Sequence, residues 1–270
     1  MVMRVHLPEH LKQGCLACGA DATLTDEHVI SRTVRKQIPL LGKVRETVGQ
    51  DVRPEVDVLN MVVADCVCHP CNDVWMGDLE DDFVARLGEC LTQPLYITLN
   101  PSDQERIAMW VIKTAIMIEV YMECCQDVES AHIPFDNLRW MAVNVSPPPN
   151  SKAWMFSFDS GQKRLGWSRG GTIGDHRGNP IGALMTFTVA NLGFQALVFN
   201  STDPVTGEVA EPPANLDPPP PFSFPLVPLW PASVREVRFP GSAKVDDSER
   251  NLIAGWHTHL MPPVSPTTDS

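Results

Sequence analysis

The sequence has no long apolar run and little positive charge, and both absences narrow the kinds of protein that it can encode. None of its apolar stretches reaches the ~20 residues that a helix needs to cross a bilayer. Residues 1–13 lack the basic start and the apolar run of a classical signal peptide. With 21 Lys and Arg against 33 Asp and Glu, the net charge of −12 argues against broad electrostatic binding to nucleic acid or to an anionic membrane. We therefore expect a soluble, cytoplasmic protein that does not bind membranes.

Motifs for several common chemistries are also missing. The sequence contains no glycine-rich phosphate loop, no Ser-His-Asp ordering and no internal repeat. Apolar residues make up 43% of the chain, which is ordinary for a globular protein with a buried core. Eight cysteines are present, of which four fall into close pairs, and Cys124 and Cys125 are adjacent in a helical pattern. This arrangement favours reduced thiols and a zinc site over disulfides.

Two Cys-x-x-Cys pairs, Cys15/Cys18 and Cys68/Cys71, predict a structural Zn²⁺ site. A spacing of two residues lets one tight turn direct both sulfurs at the same ion, and four thiolates complete a tetrahedron. The alternative, that these are buried free cysteines, is less compatible with two independent pairs. Cys66 competes with Cys68, because both project to the same side of a strand. We prefer Cys68, since it alone has the two-residue spacing to Cys71.

Glu27 and His28 lie between the two pairs, and Asn72 directly follows Cys71. Hydrolysis of a phosphodiester needs a water molecule that loses a proton and a cation that stabilises charge on the phosphate. Histidine can accept that proton near neutral pH. Glu27 and Asn72 each offer an oxygen atom, which a hard divalent cation prefers. Because adjacent strand side chains point apart, a turn must bring Glu27 and His28 to one phosphate.

The order of these features resembles the HNH (ββα-metal) endonucleases. The matching segments are Thr-Asp-Glu-His-Val-Ile at 25–30 and Cys-His-Pro-Cys-Asn-Asp-Val-Trp-Met-Gly-Asp-Leu-Glu at 68–80. More narrowly, they look like a zinc-containing subgroup found in actinobacterial and phage genomes. The resemblance covers roughly residues 15–83. It implies an α+β fold with an N-terminal, zinc-stapled ββα-metal module.

The resemblance also implies a role for each residue of the site. His28 is the general base, Glu27 and Asn72 are ligands of a catalytic Mg²⁺ or Mn²⁺, and Asn60 is a candidate for orienting His28. The chain departs from the family pattern in three respects, of which the first is that Asn60 lies eight residues before Cys68, further than the usual spacing. Many relatives carry a proline shortly after the histidine, where this chain has Ser31. Many also have aspartate before the histidine, so the site must absorb the extra methylene of Glu27.

Local charge reverses its sign just after the Glu-His pair. Residues 32–53 carry six Lys or Arg against two acidic residues, a local net charge of +4. Such a reversal beside the proposed centre is what contact with a phosphate backbone needs, and the alternative is a solvated loop. In contrast, the acidic segment 78–82 would repel DNA and should face away from it. The candidate residues for nucleic-acid binding are Arg32, Arg35, Lys36, Lys43 and Arg45.

Composition and periodicity divide the chain into three parts. Residues 1–92 carry the cysteine and histidine features and form the expected nuclease module. Residues 93–261 should form helices followed by a mainly antiparallel β region of unknown role. Residues 262–270 should form a disordered tail. A stretch rich in proline and acid, from 201 to 221, predicts a loop or linker within the β region.

Apolar spacing predicts the main elements in these parts. An apolar residue at every fourth position from 75 to 91 predicts a helix. Ser102 and Glu105 suggest a capping box at the start of a second helix that runs to about Cys125, and a shorter helix is expected at 134–141. Alternating apolar and polar residues between 154 and 200 predict antiparallel strands, and residues 227–239 should return to that sheet.

We therefore predict a metal-dependent HNH-type endonuclease that cleaves or nicks DNA, with RNA left open as a substrate. Glu27, His28 and Asn72 favour this enzyme. The alternative is a catalytically inactive, zinc-stabilised module that binds nucleic acid or a protein, which the acidic total charge and Ser31 favour. A protein partner or an oligomer is compatible with either prediction.

Overall fold

The computed structural model shows a mixed α+β protein, as the sequence predicted. The residues that it describes are 3–12, 14–38, 47–48, 51–52, 61–126, 136–149, 151–159, 164–174, 180–199, 226–240, 244–246, 249 and 253. The predictions for Asn60, Lys43 and Arg45 fall outside these residues, as do those for the 201–221 loop and the 262–270 tail.

The N-terminal part is built around a small three-stranded sheet. The main elements of this part of the chain, in order, are β1 (Met3–His6), β2 (Leu24–His28), α1 (Arg32–Gln37), β3 (Thr47–Val48), β4 (Asp51–Val52) and β5 (Met61–Cys68). The strand order is β1-β5-β2, with β1 parallel and β2 antiparallel to β5. Strands β3 and β4 pair as a short hairpin. Strand β1 was not predicted from the sequence, because four residues show too little alternation to indicate a strand.

A bulge interrupts the pairing of β2 with β5 next to the Glu-His pair. Thr25 pairs with Val67, but Glu27 pairs with Val63, so the register shifts between them. Asp65, in the bulged part of β5, has a left-handed φ of 49°. Beyond the bulge, Glu27 is buried and His28 is partly exposed. The two side chains therefore lie in different environments, as neighbours on a strand should.

The cysteine pair at the end of β5 leads directly into a long helical segment. Cys71–Met76 forms a π-helix, and α2 (Gly77–Leu87) continues from it. The predicted apolar stripe is confirmed, since Leu79, Phe83 and Leu87 are buried. A 3₁₀ turn at Glu89–Leu91 ends the segment. The helix thus begins as a wider turn, directly after the last cysteine.

Two further elements follow: β6 (Ile97–Leu99) and α3 (Pro101–Gln126), which is the predicted second helix. Its N-terminus differs from the prediction. Asp103 N donates to Asn100 Oδ1 at 3.0 Å, and Asn100 N donates to Asp103 Oδ2 at 3.3 Å. Asn100 and Asp103 therefore form the capping box, because proline favours the first helical position and Pro101 takes it. The predicted partner Glu105 instead accepts a hydrogen bond from Ser146.

The C-terminal part is dominated by a six-stranded sheet. The described elements of this part of the chain, in order, are α4 (Asp136–Asn144), β7 (Lys152–Phe158), β8 (Arg164–Gly174), β9 (Pro180–Ala190), β10 (Leu192–Phe199), β11 (Val227–Trp230), β12 (Val237–Phe239) and β13 (Lys244–Val245). The order β11-β7-β10-β9-β8 is antiparallel throughout, as predicted, and β13 pairs parallel with β7. Only the first part of 227–239 returns to this sheet, because β12 pairs with β6 instead.

Helices α2 and α3 connect the small sheet to the large one. Phe83 of α2 stacks on Trp110 of α3, with ring centroids 3.7 Å apart. Trp110 in turn contacts Phe194 of β10 edge-on, at 5.5 Å between centroids. One cluster of buried apolar residues therefore extends across the predicted boundary at residue 92. Among the described helices, none is both long and apolar enough to cross a membrane.

Candidate functional site

The four cysteines of the two pairs come together in the folded chain. The sulfur atoms of Cys15, Cys18, Cys68 and Cys71 all lie within 4.8 Å of one another. The first pair sits in a tight turn, where Gly19 N donates to the carbonyl of Cys15 at 2.7 Å. Cys68 N donates to Cys15 Sγ at 3.2 Å and joins the two pairs. This donor set could hold a metal ion such as zinc.

The structure also distinguishes Cys68 from the competing Cys66. Cys66 is not among the grouped cysteines of the described chain. Its thiol is buried and donates to the carbonyl of Val63 at 3.4 Å, and burial raises its pKa well above the usual value. Burial also raises the pKa of Cys15, but hydrogen bonds from backbone N–H groups, foremost that of Cys68, outweigh it and lower the pKa to about 7. Burial raises the pKa of Cys68 and that of Cys71 as well, so the position of the sulfur atom, and not its acidity, separates Cys68 from Cys66.

A pocket of about 490 Å³ opens where β2, α1 and the start of the α2 segment meet. Its walls include Glu27, His28 and Asn72, so the structure brings together three of the residues predicted for catalysis. Ser31, at the position where the HNH endonucleases that the motifs resemble often have proline, also lines the pocket. Its hydroxyl accepts a hydrogen bond from Val34 N at 3.2 Å and caps α1. The departure from the family pattern therefore has a structural role of its own.

His28 is half-buried, and its surroundings favour the neutral imidazole. Burial is the largest cause that lowers its pKa, and the positive charges of Arg35 and Arg32 add to it. Together they bring the pKa of His28 to about 4. At neutral pH the side chain is therefore unprotonated, which is the form that can accept a proton from water.

Asn72 joins the π-helix to strand β2. Its Nδ2 donates to Thr25 Oγ1 at 3.0 Å and to the carbonyl of Asp26 at 2.9 Å. Both bonds use the amide nitrogen, so Oδ1 is the atom of this side chain suited to a cation. The sequence predicted that Asn72 is a metal ligand. The structure adds that Asn72 also holds the backbone of Asp26, the residue before Glu27.

Glu27 has a partner that the sequence analysis did not identify. Its carboxylate lies 2.6 Å from the ammonium of Lys113, which is also 2.9 Å from Glu80. Lys113 is completely buried, and Glu27 is only 3% exposed. One signal in the sequence was available, since Lys113 is the only charged residue between Ile107 and Ile118 of an otherwise apolar helix.

The three buried charges influence one another. Burial raises the pKa of Glu27, the ammonium of Lys113 opposes that rise, and the carboxylate of Glu80 adds to it. Burial by itself would lower the pKa of Lys113, but the two carboxylates outweigh it and raise this pKa. Lys113 therefore stays charged. The cluster thus has one cation for two acids, and both acids line the same pocket as Asn72.

The predicted nucleic-acid-binding residues are only partly described. Arg32 lines the pocket, while Arg35 and Lys36 lie in the last turn of α1. Arg35 Nε donates to the carbonyl of Ser31 at 3.4 Å. Part of the acidic segment 78–82 lines the same pocket, contrary to the expectation that it faces away from the substrate side. The described pocket lining thus has one basic side chain from α1, that of Arg32, and acidic side chains from α2.

Comparisons of the chain with protein-family models, with curated proteins and with solved structures find no match. The resemblance to HNH endonucleases therefore rests on the motifs at 25–30 and 68–80, and the function is argued from the site itself.

Proposed function

We propose that this chain is a metal-dependent endonuclease of the HNH type that hydrolyses DNA phosphodiester bonds. The observation that supports it most is the pocket in which half-buried His28 lies with Glu27 and Asn72. A general base and oxygen ligands for a cation are the groups that this hydrolysis needs. Their presence in one pocket makes phosphodiester hydrolysis the function that best fits the site.

The zinc-stapled ββα-metal module is part of the proposal. Antiparallel β2 and β5 followed by the α2 segment supply two strands and a helix in the required order. Cys15 and Cys18 precede β2, whereas Cys68 ends β5 and Cys71 begins the π-helix. A zinc ion on these thiolates would tie the strands to the helix. It would thereby fix Asn72 next to β2, since a closed structural site contributes folding energy.

The residues of the chain would divide the work as follows. Neutral His28 takes the proton from the attacking water. Glu27 and Asn72 would hold Mg²⁺ or Mn²⁺, which when bound would supply positive charge for the phosphate and the leaving oxygen. Asn72 also keeps β2 in place through its bond to the Asp26 carbonyl. Arg32, which lines the pocket, would contact a phosphate of the bound strand.

Plasmid nicking with Mg²⁺ or Mn²⁺ tests this function directly. His28→Ala should lower the cleavage rate by about 10²-fold or more, the usual scale for a lost general base. His6→Ala is a matched control, because His6 is an exposed histidine of β1 outside the pocket lining. It should cleave at the wild-type rate. A His28→Ala protein as active as wild type would overturn the mechanism.

The second candidate is a zinc-stabilised module that binds nucleic acid or protein without catalysis. The acidic lining contributed by α2 favours it, because these side chains repel a phosphate unless a cation intervenes. If wild type and both variants fail to cleave DNA or RNA while binding one of them, this candidate replaces the nuclease. Cleavage of RNA alone would instead keep the mechanism and change the substrate.

A further inference from the structure

Helix α3 places a charge against two residues of the pocket lining. Lys113 bridges Glu27 and Glu80, both of which line the pocket. We propose that Lys113 is a positioning residue that holds these two carboxylates together and sets how strongly the pocket binds a divalent cation. The inference rests on the proposed function, because it concerns the cation of that same site.

The geometry shows what Lys113 holds. Its ammonium lies 2.6 Å from Glu27 and 2.9 Å from Glu80. Glu27 belongs to β2 and Glu80 to α2, so three elements meet at one nitrogen atom. A buried ammonium must be paired, and a buried carboxylate likewise. Each of the three side chains is therefore restrained by the others, and the carboxylates cannot turn freely towards a cation.

The charges show why this restraint affects cation binding. With both carboxylates ionised, the cluster carries a net charge of −1. Without the ammonium the same two acids would carry −2, and without the Glu80 charge the remaining ion pair would be neutral. Because charges interact strongly in a buried site, a change of one unit in the charge of the cluster should change the affinity for a nearby cation strongly. Arg32 and Asp81, which also line the pocket, stay constant in such variants.

This reasoning predicts an order of affinities in a set of three variants. Lys113→Met keeps the length of the side chain without the charge, and Glu80→Gln keeps the shape of the acid. Lys113→Met should bind Mn²⁺ about tenfold or more tightly than wild type, and Glu80→Gln about tenfold or more weakly. The double variant has the wild-type charge and should return to near the wild-type affinity. If Glu80 were only a ligand, the double variant would stay weak.

Mn²⁺ binding, measured by electron paramagnetic resonance at one fixed pH on the purified zinc-loaded chain, needs no nuclease activity. Glu27→Gln should lose the signal and so assign it to the pocket. If Lys113→Met does not fold, Lys113→Gln takes its place in the set, and wild-type Mn²⁺ affinity in Lys113→Gln overturns the inference. Wild-type affinity in all three variants would overturn the role of Lys113 and leave the nuclease intact. If wild type does not bind Mn²⁺, both the role of Lys113 and the proposed catalytic cation are overturned. The role of His28 as the base is tested separately, by the DNA cleavage rate of His28→Ala.

Discussion

Replacement of Asn72 by alanine should destabilise the protein even in the absence of any catalytic cation. Asn72 Nδ2 makes two hydrogen bonds to β2, to Thr25 Oγ1 at 3.0 Å and to the Asp26 carbonyl at 2.9 Å. One such bond contributes about 1 kcal/mol net, so Asn72→Ala should lower the free energy of unfolding by about 2 kcal/mol. A residue that served solely as a cation ligand would show no such loss without the cation.

A double-mutant cycle with Thr25 sharpens the prediction. Thr25 Oγ1 accepts from Asn72 and donates to the Val67 carbonyl at 2.9 Å, so Thr25→Val should also cost about 2 kcal/mol. The Thr25–Asn72 bond is shared, and the double variant should therefore lose about 3 kcal/mol rather than the sum. Asn144→Ala is the matched control. It removes an exposed asparagine whose bond runs to Trp140 within α4, and it should change stability little.

Urea unfolding, followed by circular dichroism without added Mg²⁺ or Mn²⁺, measures these values. Zinc content must be equal in all samples, so that loss of the ion is not mistaken for loss of the hydrogen bonds. If Asn72→Ala unfolds within about 0.5 kcal/mol of wild type, less than one net hydrogen bond, Asn72 does not hold β2. The connection between the cysteine cluster and the catalytic strand would then have to be abandoned.

Two further predictions concern the zinc ligands and the basic helix. Elemental analysis should find about one zinc per chain in wild type and in Cys66→Ser but none in Cys68→Ser, because the Cys68 thiolate would complete the proposed tetrahedron. The reverse result would reassign the ligand. Combined Arg32→Ala and Arg35→Ala should weaken DNA binding and reduce its salt slope by about 0.9 per lost phosphate contact, whereas Lys12→Ala should not. If the double variant and wild type show the same salt dependence of DNA binding, α1 is a solvated helix that does not contact the phosphates.

Features of the site that depend on short spacings were predictable from the sequence. The pair spacing identified Cys68 rather than Cys66, because two residues between thiols fit one turn around an ion. The spacing of apolar residues likewise predicted α2 and α3, since a helix repeats every 3.6 residues or so. The capping box of α3 was misassigned by two residues, because Ser102 and Asn100 both suit a cap and Pro101 decides between them.

The partners of the proposed catalytic residues were decided by the tertiary structure. Lys113 is far from Glu27 in the sequence, and a lysine within an apolar helix gives no sign of which acid it will meet. Asn72 reaches β2 because β5 and the π-helix bring it there, which no local pattern records. Short-range order follows from the period of the backbone, and so the sequence determined the longer helices and the grouping of the four cysteines. Long-range pairing of buried charges depends on how those elements pack, and so only the folded chain determined what surrounds Glu27 and His28.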